Sequence, residues 1–110
     1  MLDRRGELQA LLERHYASYG WKVEPADDGT VRAIGLNGVT WIGLPVVAED
    51  LEDPAFELQL LTLSDERMQE GELCPLELLP DETCADDLRA VLDRLRLRER
   101  GHVEVYSLAA

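Results

Sequence analysis

The sequence predicts an α+β protein: an antiparallel sheet of about five to six strands with two helices packed mainly on one face, in the order α-β-β-β-β-β-α-β. Three observations lead there. Apolar residues recur at a 3.6-residue period near each end of the chain. Asp28-Gly29 and Asn37-Gly38 separate extended apolar runs in the first half. Alternating apolar and polar residues return at 56–60 and 102–108. A chain of 110 residues is the common size of one domain, and 1–110 reads as a single one.

Residues 4–19 read as the first helix, because Leu8, Leu11, Leu12, His15, Tyr16 and Tyr19 share one face. Asp3 can cap its start, and Gly20 suits the left-handed position past its end. Trp21 to Glu24, Val31 to Leu36 and Val39 to Val47 then read as a three-stranded antiparallel meander. Asn37-Gly38 suits a two-residue hairpin loop, since both residues tolerate positive φ. Pro25 to Gly29 suits a looser connection. Glu49 to Pro54 reads as an acidic loop, and Phe56, Leu58 and Leu60 as a strand with one wet face. The apolar phase slips at Leu60-Leu61, as at a bulge. Ser64 to Gly71 fits one helical turn or a hairpin loop, and Glu72 to Leu79 another strand. Pro75 points to an edge or irregular position for that strand. Thr83, with Asp86 three residues on, opens the second helix, whose stripe is Cys84, Leu88, Val91, Leu92 and Leu95. Gly101 stops it, and His102 to Leu108 closes the sheet.

Charge is distributed unevenly along this frame. Fourteen of the 23 acidic residues lie between Glu49 and Asp87, which contains one base, Arg67. Residues 1–48 are nearly neutral, and 88–101 carry five arginines against Asp93 and Glu99. A net charge of −12 argues against direct binding of nucleic acid or an anionic membrane, both of which need clustered Lys and Arg. It fits a basic protein surface. The N-terminus has no apolar run after Arg4-Arg5, and the longest uncharged stretch, Ala33 to Ala48, is too short to span a bilayer. Both observations point to the cytoplasm, where Cys74 and Cys84 would remain free thiols.

Residue types capable of chemistry are present without a reactive pattern. His15 lies on the apolar stripe of the first helix and His102 follows a helix stop; neither has a nucleophile at a suitable spacing. Cys74 and Cys84 lack a CxxC partner, so no zinc site is expected. Cys84 at a helix start could favour thiolate, but Asp81, Glu82, Asp86 and Asp87 oppose that. Glu49-Asp50-Leu51-Glu52-Asp53 lacks the glycine and ligand spacing of a calcium loop. Gly35-x-x-Gly38 sits at a strand turn with no base inside it, unlike a nucleic-acid-clamping loop. No phosphate loop or dinucleotide fingerprint occurs. Catalytic residues, metal and cofactor are accordingly expected to be none.

The expected function is a small acidic, non-enzymatic binding protein, an inhibitor or regulator that docks on a basic protein surface. Its carboxylates could imitate a row of phosphates. The residues expected to make contact are Glu49, Asp50, Glu52, Asp53, Asp65, Glu66, Glu70, Glu72, Asp81 and Glu82. The alternative is a chaperone-like or assembly adaptor, a homodimer binding through apolar sheet surface. Trp41, Ile42, Leu44 and Val46 motivate it, because they place apolar groups on both faces of one strand.

Overall fold

Helix α1 (Arg4–Ala17) opens the fold, and the computed structural model describes residues 3–108. Met1 and Leu2, part of the N-terminal segment considered above, lie outside that range. Asp3 caps α1 by accepting a 2.8 Å hydrogen bond from the Gly6 amide. Asp3→Ala is expected to cost about 1 kcal/mol. That appears as a lower urea midpoint at unchanged slope; no shift would mean that solvent caps the helix equally well.

Strands β1 (Lys22–Pro25), β2 (Val31–Ile34) and β3 (Thr40–Val46) form the antiparallel meander that the turn residues predict. The hairpin loop at Asn37-Gly38 has three residues rather than two. Gly35 N–H donates to Val39 O at 2.9 Å, which encloses Leu36, Asn37 and Gly38. Gly38 takes φ +77°, as a three-residue loop ending in a left-handed residue requires.

The chain departs from expectation over 48–64. The acidic loop is a short helix, α2 (Ala48–Glu52), and the expected strand after it is α3 (Phe56–Ser64). Phe56, Leu60 and Leu63 are buried at i, i+4 and i+7, which is a helical stripe. Leu58 and Leu61 fall on the outer face, 66% and 39% exposed. These two outward leucines imitate strand alternation and create the apparent phase slip at Leu60-Leu61. The segment 65–75 is a hairpin-like loop closed by an Arg67–Leu73 bridge.

Because two helices carry the chain back across the sheet, β4 (Leu76–Pro80) joins β3 in parallel, and β5 (Val103–Val105) joins β4 in parallel. The sheet is therefore mixed, with five strands in the order β1-β2-β3-β4-β5, and not purely antiparallel. Strand β4 lies between two neighbours instead of at an edge. Pro75 stands just before it and serves as acceptor, taking the Ile42 N–H at 2.9 Å, so its missing donor is not needed.

Helix α4 (Ala85–Arg94) follows a 3₁₀ turn, Glu82–Cys84. Thr83 does not cap it: its hydroxyl donates to Asp81 at 2.7 Å. Its stop is also earlier than Gly101. Arg96 adopts φ +57°, and the Leu97 amide returns to Leu92 O at 3.0 Å. Gly101 instead ends a second 3₁₀ turn, Arg98–Arg100.

Helices cover both faces of the sheet, which corrects the expected one-sided packing. Both parallel crossovers step in the same direction along the sheet, and right-handed connections then place α3 and α4 on one face. There Phe56, Leu60, Leu63, Leu88 and Leu92 pack on Ile42, Leu44, Val46, Leu76 and Leu78. Helix α1 takes the opposite face, where Leu8, Leu12 and Tyr16 pack on Val31, Ala33 and Leu79. Three of the four β3 residues that motivated an apolar docking surface thus lie in the protein's own core, with Ile42 and Val46 fully buried and Leu44 nearly so, while Trp41 on the other face is half-buried.

Candidate functional site

Parallel pairing of β3 and β4 decides where the acidic residues go. Glu49, Asp50, Glu52 and Asp53 follow the end of β3, and Asp81 and Glu82 follow the end of β4. The two strands finish side by side, so these six gather at one end of the sheet. Asp65, Glu66, Glu70 and Glu72 lie in the connection leading to the start of β4, with Glu70 and Glu72 beside the Asn37–Val39 turn at the other end. A five-residue strand sets the two ends roughly 16 Å apart. The structure divides into two groups what is one run in the sequence.

Half of the ten have guanidinium partners within the chain. Arg5 grips Asp50 with two bonds, 2.7 and 3.1 Å, while Arg4 Nε donates to Asp81 at 2.8 Å and Arg4 Nη2 lies 3.7 Å from Glu82. Arg32 pairs with Glu66 and Arg100 with Asp65. The Thr83 hydroxyl and then Arg4 hold Asp81 below the usual carboxylate range. Asp50 also accepts from the Val47 amide at 2.9 Å and so caps α2. Glu49, Glu52, Asp53, Glu70 and Glu72 have no ion-pair partner among the described residues. Of the C-terminal arginines, Arg98 and Arg89 pair locally with Asp93 and Asp86, and Arg94 bridges to Glu57 on α3.

A second locale is absent from the sequence reading. A cleft of about 300 Å³ opens on the α1 face of the sheet, over β3, β4 and β5. Trp41, Pro75, Glu77, His102, Glu104 and Tyr106 line it. Strand alternation accounts for the set, since Pro75, Glu77, His102, Glu104 and Tyr106 occupy alternate positions along two adjacent strands. Glu77 is 3% exposed. Tyr16 reaches across β3 from α1, and its hydroxyl donates to Glu77 Oε1 at 2.6 Å. Burial pushes the Glu77 carboxyl up to about 7. The Tyr16 bond works against that rise, and the charge of Glu104, its register partner on β5, adds to it. Burial, followed by the Glu77 contact, pushes the Tyr16 hydroxyl well above its ordinary value.

Aromatic rings support this cleft. Trp41 stacks on Trp21 at 5.1 Å, Trp21 on Tyr19 at 4.8 Å, and Tyr106 meets His15 edge-on at 5.7 Å. His15 is thus a half-buried member of an aromatic cluster. His102 Nε2 lies 2.6 Å from Ser64 O. A carbonyl only accepts, so Nε2 carries a proton, and the buried Nδ1 has no partner among the described residues.

The remaining reactive types are placed in the core. Cys74 and Cys84 are free and buried, and burial, joined for Cys84 by Asp81, pushes both thiols up. Thiolate chemistry is disfavoured at both. Among the described residues, no three His, Cys, Asp or Glu side chains converge as a metal ion would need. Among them too, no helix is long and apolar enough to cross a membrane.

The overlooked signal is Glu77 itself. It is the one charge in Pro75-Leu76-Glu77-Leu78-Leu79-Pro80, a run that fits a strand buried on both faces. A lone acid there must be partnered or functional. No family model, curated protein or solved structure matches this chain.

Proposed function

We propose that this protein is a non-enzymatic binding protein that docks a basic surface of a partner protein on the carboxylates at the β3–β4 end of its sheet. The observation that carries the reading is the convergence there of Glu49, Asp50, Glu52, Asp53, Asp81 and Glu82. Asp86 and Asp87 of the first turn of α4 extend the group. The bases ion-paired there are Arg4, Arg5 and Arg89, and Glu49, Glu52 and Asp53 have no ion-pair partner among the described residues. A negative field of this kind steers a cationic surface into contact and repels nucleic acid and anionic membrane. A partner that handles nucleic acid would meet carboxylates in place of phosphates, so inhibition or regulation of such a protein is the role we favour. The reading places the protein in the cytoplasm, where buried thiols stay reduced. The group at the other end, Asp65, Glu66, Glu70 and Glu72, plays the smaller part, because Arg100 and Arg32 hold its first two members.

Affinity purification from the native host tests this with two variants side by side. Combined Glu49→Gln, Glu52→Gln, Asp53→Asn and Glu82→Gln is expected to weaken partner retention about tenfold at physiological salt. Glu70→Gln with Glu72→Gln is expected to change it little. Retention that is indifferent to the first variant, or flat from low to physiological ionic strength, removes electrostatic docking at this end.

A further inference from the structure

We propose that the cleft over β3, β4 and β5 is a binding site for a single cationic group on an aliphatic stem, a guanidinium or ammonium, with Glu77 at its base and Trp41 and Tyr106 as walls. This goes beyond the docking end and does not depend on it, because the cleft draws on none of those six carboxylates.

Three features select this ligand. Glu77 is buried, yet one oxygen has only the Tyr16 hydroxyl as partner and the other has none among the described residues. Among the described residues neither it nor Glu104 forms an ion pair, although the two carboxylates are neighbours across parallel strands. Two acids held together without a cation favour a positive ligand and repel an anion. The walls add a second preference. Indole and phenol faces attract a weakly hydrated cation, and most strongly where water is excluded. A volume of about 300 Å³ accommodates one side-chain-sized group.

The groups facing Glu77 are Tyr16 from α1, Trp41 from β3, and His102, Glu104 and Tyr106 from β5 and its flanks. Burial raises the Glu77 carboxyl to about 7, so its charge develops as pH rises through neutrality. Cation binding should therefore be about tenfold tighter at pH 8 than at pH 6, following the ionised fraction of Glu77.

Calorimetric titration of the full chain with agmatine, N-acetylarginine amide and N-acetylcitrulline amide tests the site. The two cations are expected to bind and the neutral citrulline probe is not. Binding of agmatine alone identifies a free small molecule as the source of the cation, and binding of the amide alone identifies a side chain. Glu77→Gln keeps an acceptor for Tyr16 and is expected to lower affinity at pH 8 by at least about tenfold, and the exposed Glu104→Gln by about threefold. Raising salt to 0.5 M should change the affinity by less than about threefold, because a buried pair is weakly screened. No cation binding at millimolar probe overturns the proposal, as does equal binding of citrulline. So does affinity unchanged in Glu77→Gln; if that affinity is abolished by the Glu49, Glu52, Asp53 and Glu82 substitutions, the cations sit at the docking end instead.

Discussion

Glu77→Gln is expected to stabilise the protein by about 3 kcal/mol at pH 8 and to leave it nearly unchanged at pH 4. The carboxyl titrates at about 7 in the folded state against an ordinary 4.5, because burial disfavours its charge and Glu104 repels it. The sign follows from proton occupancy. Below pH 4.5 the acid is protonated in both states, and folding is not opposed. Between 4.5 and 7 the unfolded chain releases the proton while the folded protein retains it, so stability is lost as pH rises. Above 7 both states are ionised, and the full burial penalty persists without further slope. Glutamine carries no charge to bury and still accepts the 2.6 Å bond from Tyr16. Urea unfolding of the two proteins at pH 4, 6 and 8 gives the difference directly, since titrating groups that do not interact with Glu77 cancel. A flat difference would mean that water solvates Glu77 fully, and the cleft would then lose its reason to attract a cation. A charge kept at such a disadvantage is the pattern of a binding group, one whose compensation arrives with its ligand.

Gly43→Ala is expected to destabilise the protein by about 2–4 kcal/mol, through overpacking and the loss of a buried hydrogen bond. Gly43 lies on β3 opposite Glu77 in register, and Tyr16 passes over it to reach that carboxylate. An added Cβ would stand 2.8 Å from the Tyr16 hydroxyl oxygen and 3.2 Å from Leu12 Cδ1. Both belong to side chains buried between α1 and the sheet, so neither can swing into solvent. Only glycine permits the tyrosine to cross β3. In a Tyr16→Phe background the nearest oxygen is gone, and the cost of Gly43→Ala should fall by about 1 kcal/mol or more. Strict additivity of the two substitutions in urea unfolding would show that the crossing is not what constrains residue 43.

Much of the fold is legible in the sequence for local reasons. The stripe Leu8, Leu12, Tyr16 and the cap at Asp3 are consequences of residues three and four apart, and α1 forms as they predict. The meander is written in Asp28-Gly29 and Asn37-Gly38, whose backbone preferences act over a few residues. Where a signal depends on what covers an element, local pattern misleads. Phe56, Leu58 and Leu60 alternate like a strand because α3 carries leucines on its outer face as well as its inner one. That helix makes β4 parallel to β3, α4 does the same for β5, and the two together occupy one face and leave the other to α1.

The candidate sites divide in the same way. Charge and composition are additive, so the sequence by itself determined that this is an acidic α+β chain with an anionic middle. Proximity is not additive. Only the tertiary structure decided that β3 and β4 end side by side, which brings Glu49 and Asp81 to one end and sends Glu70 and Glu72 to the other. It alone set Glu77 beneath Tyr16 and next to Glu104, on three elements that share no local sequence pattern. The physical reason is that burial and partnership depend on strand pairing across tens of residues, and these two quantities determine what a carboxyl group can do.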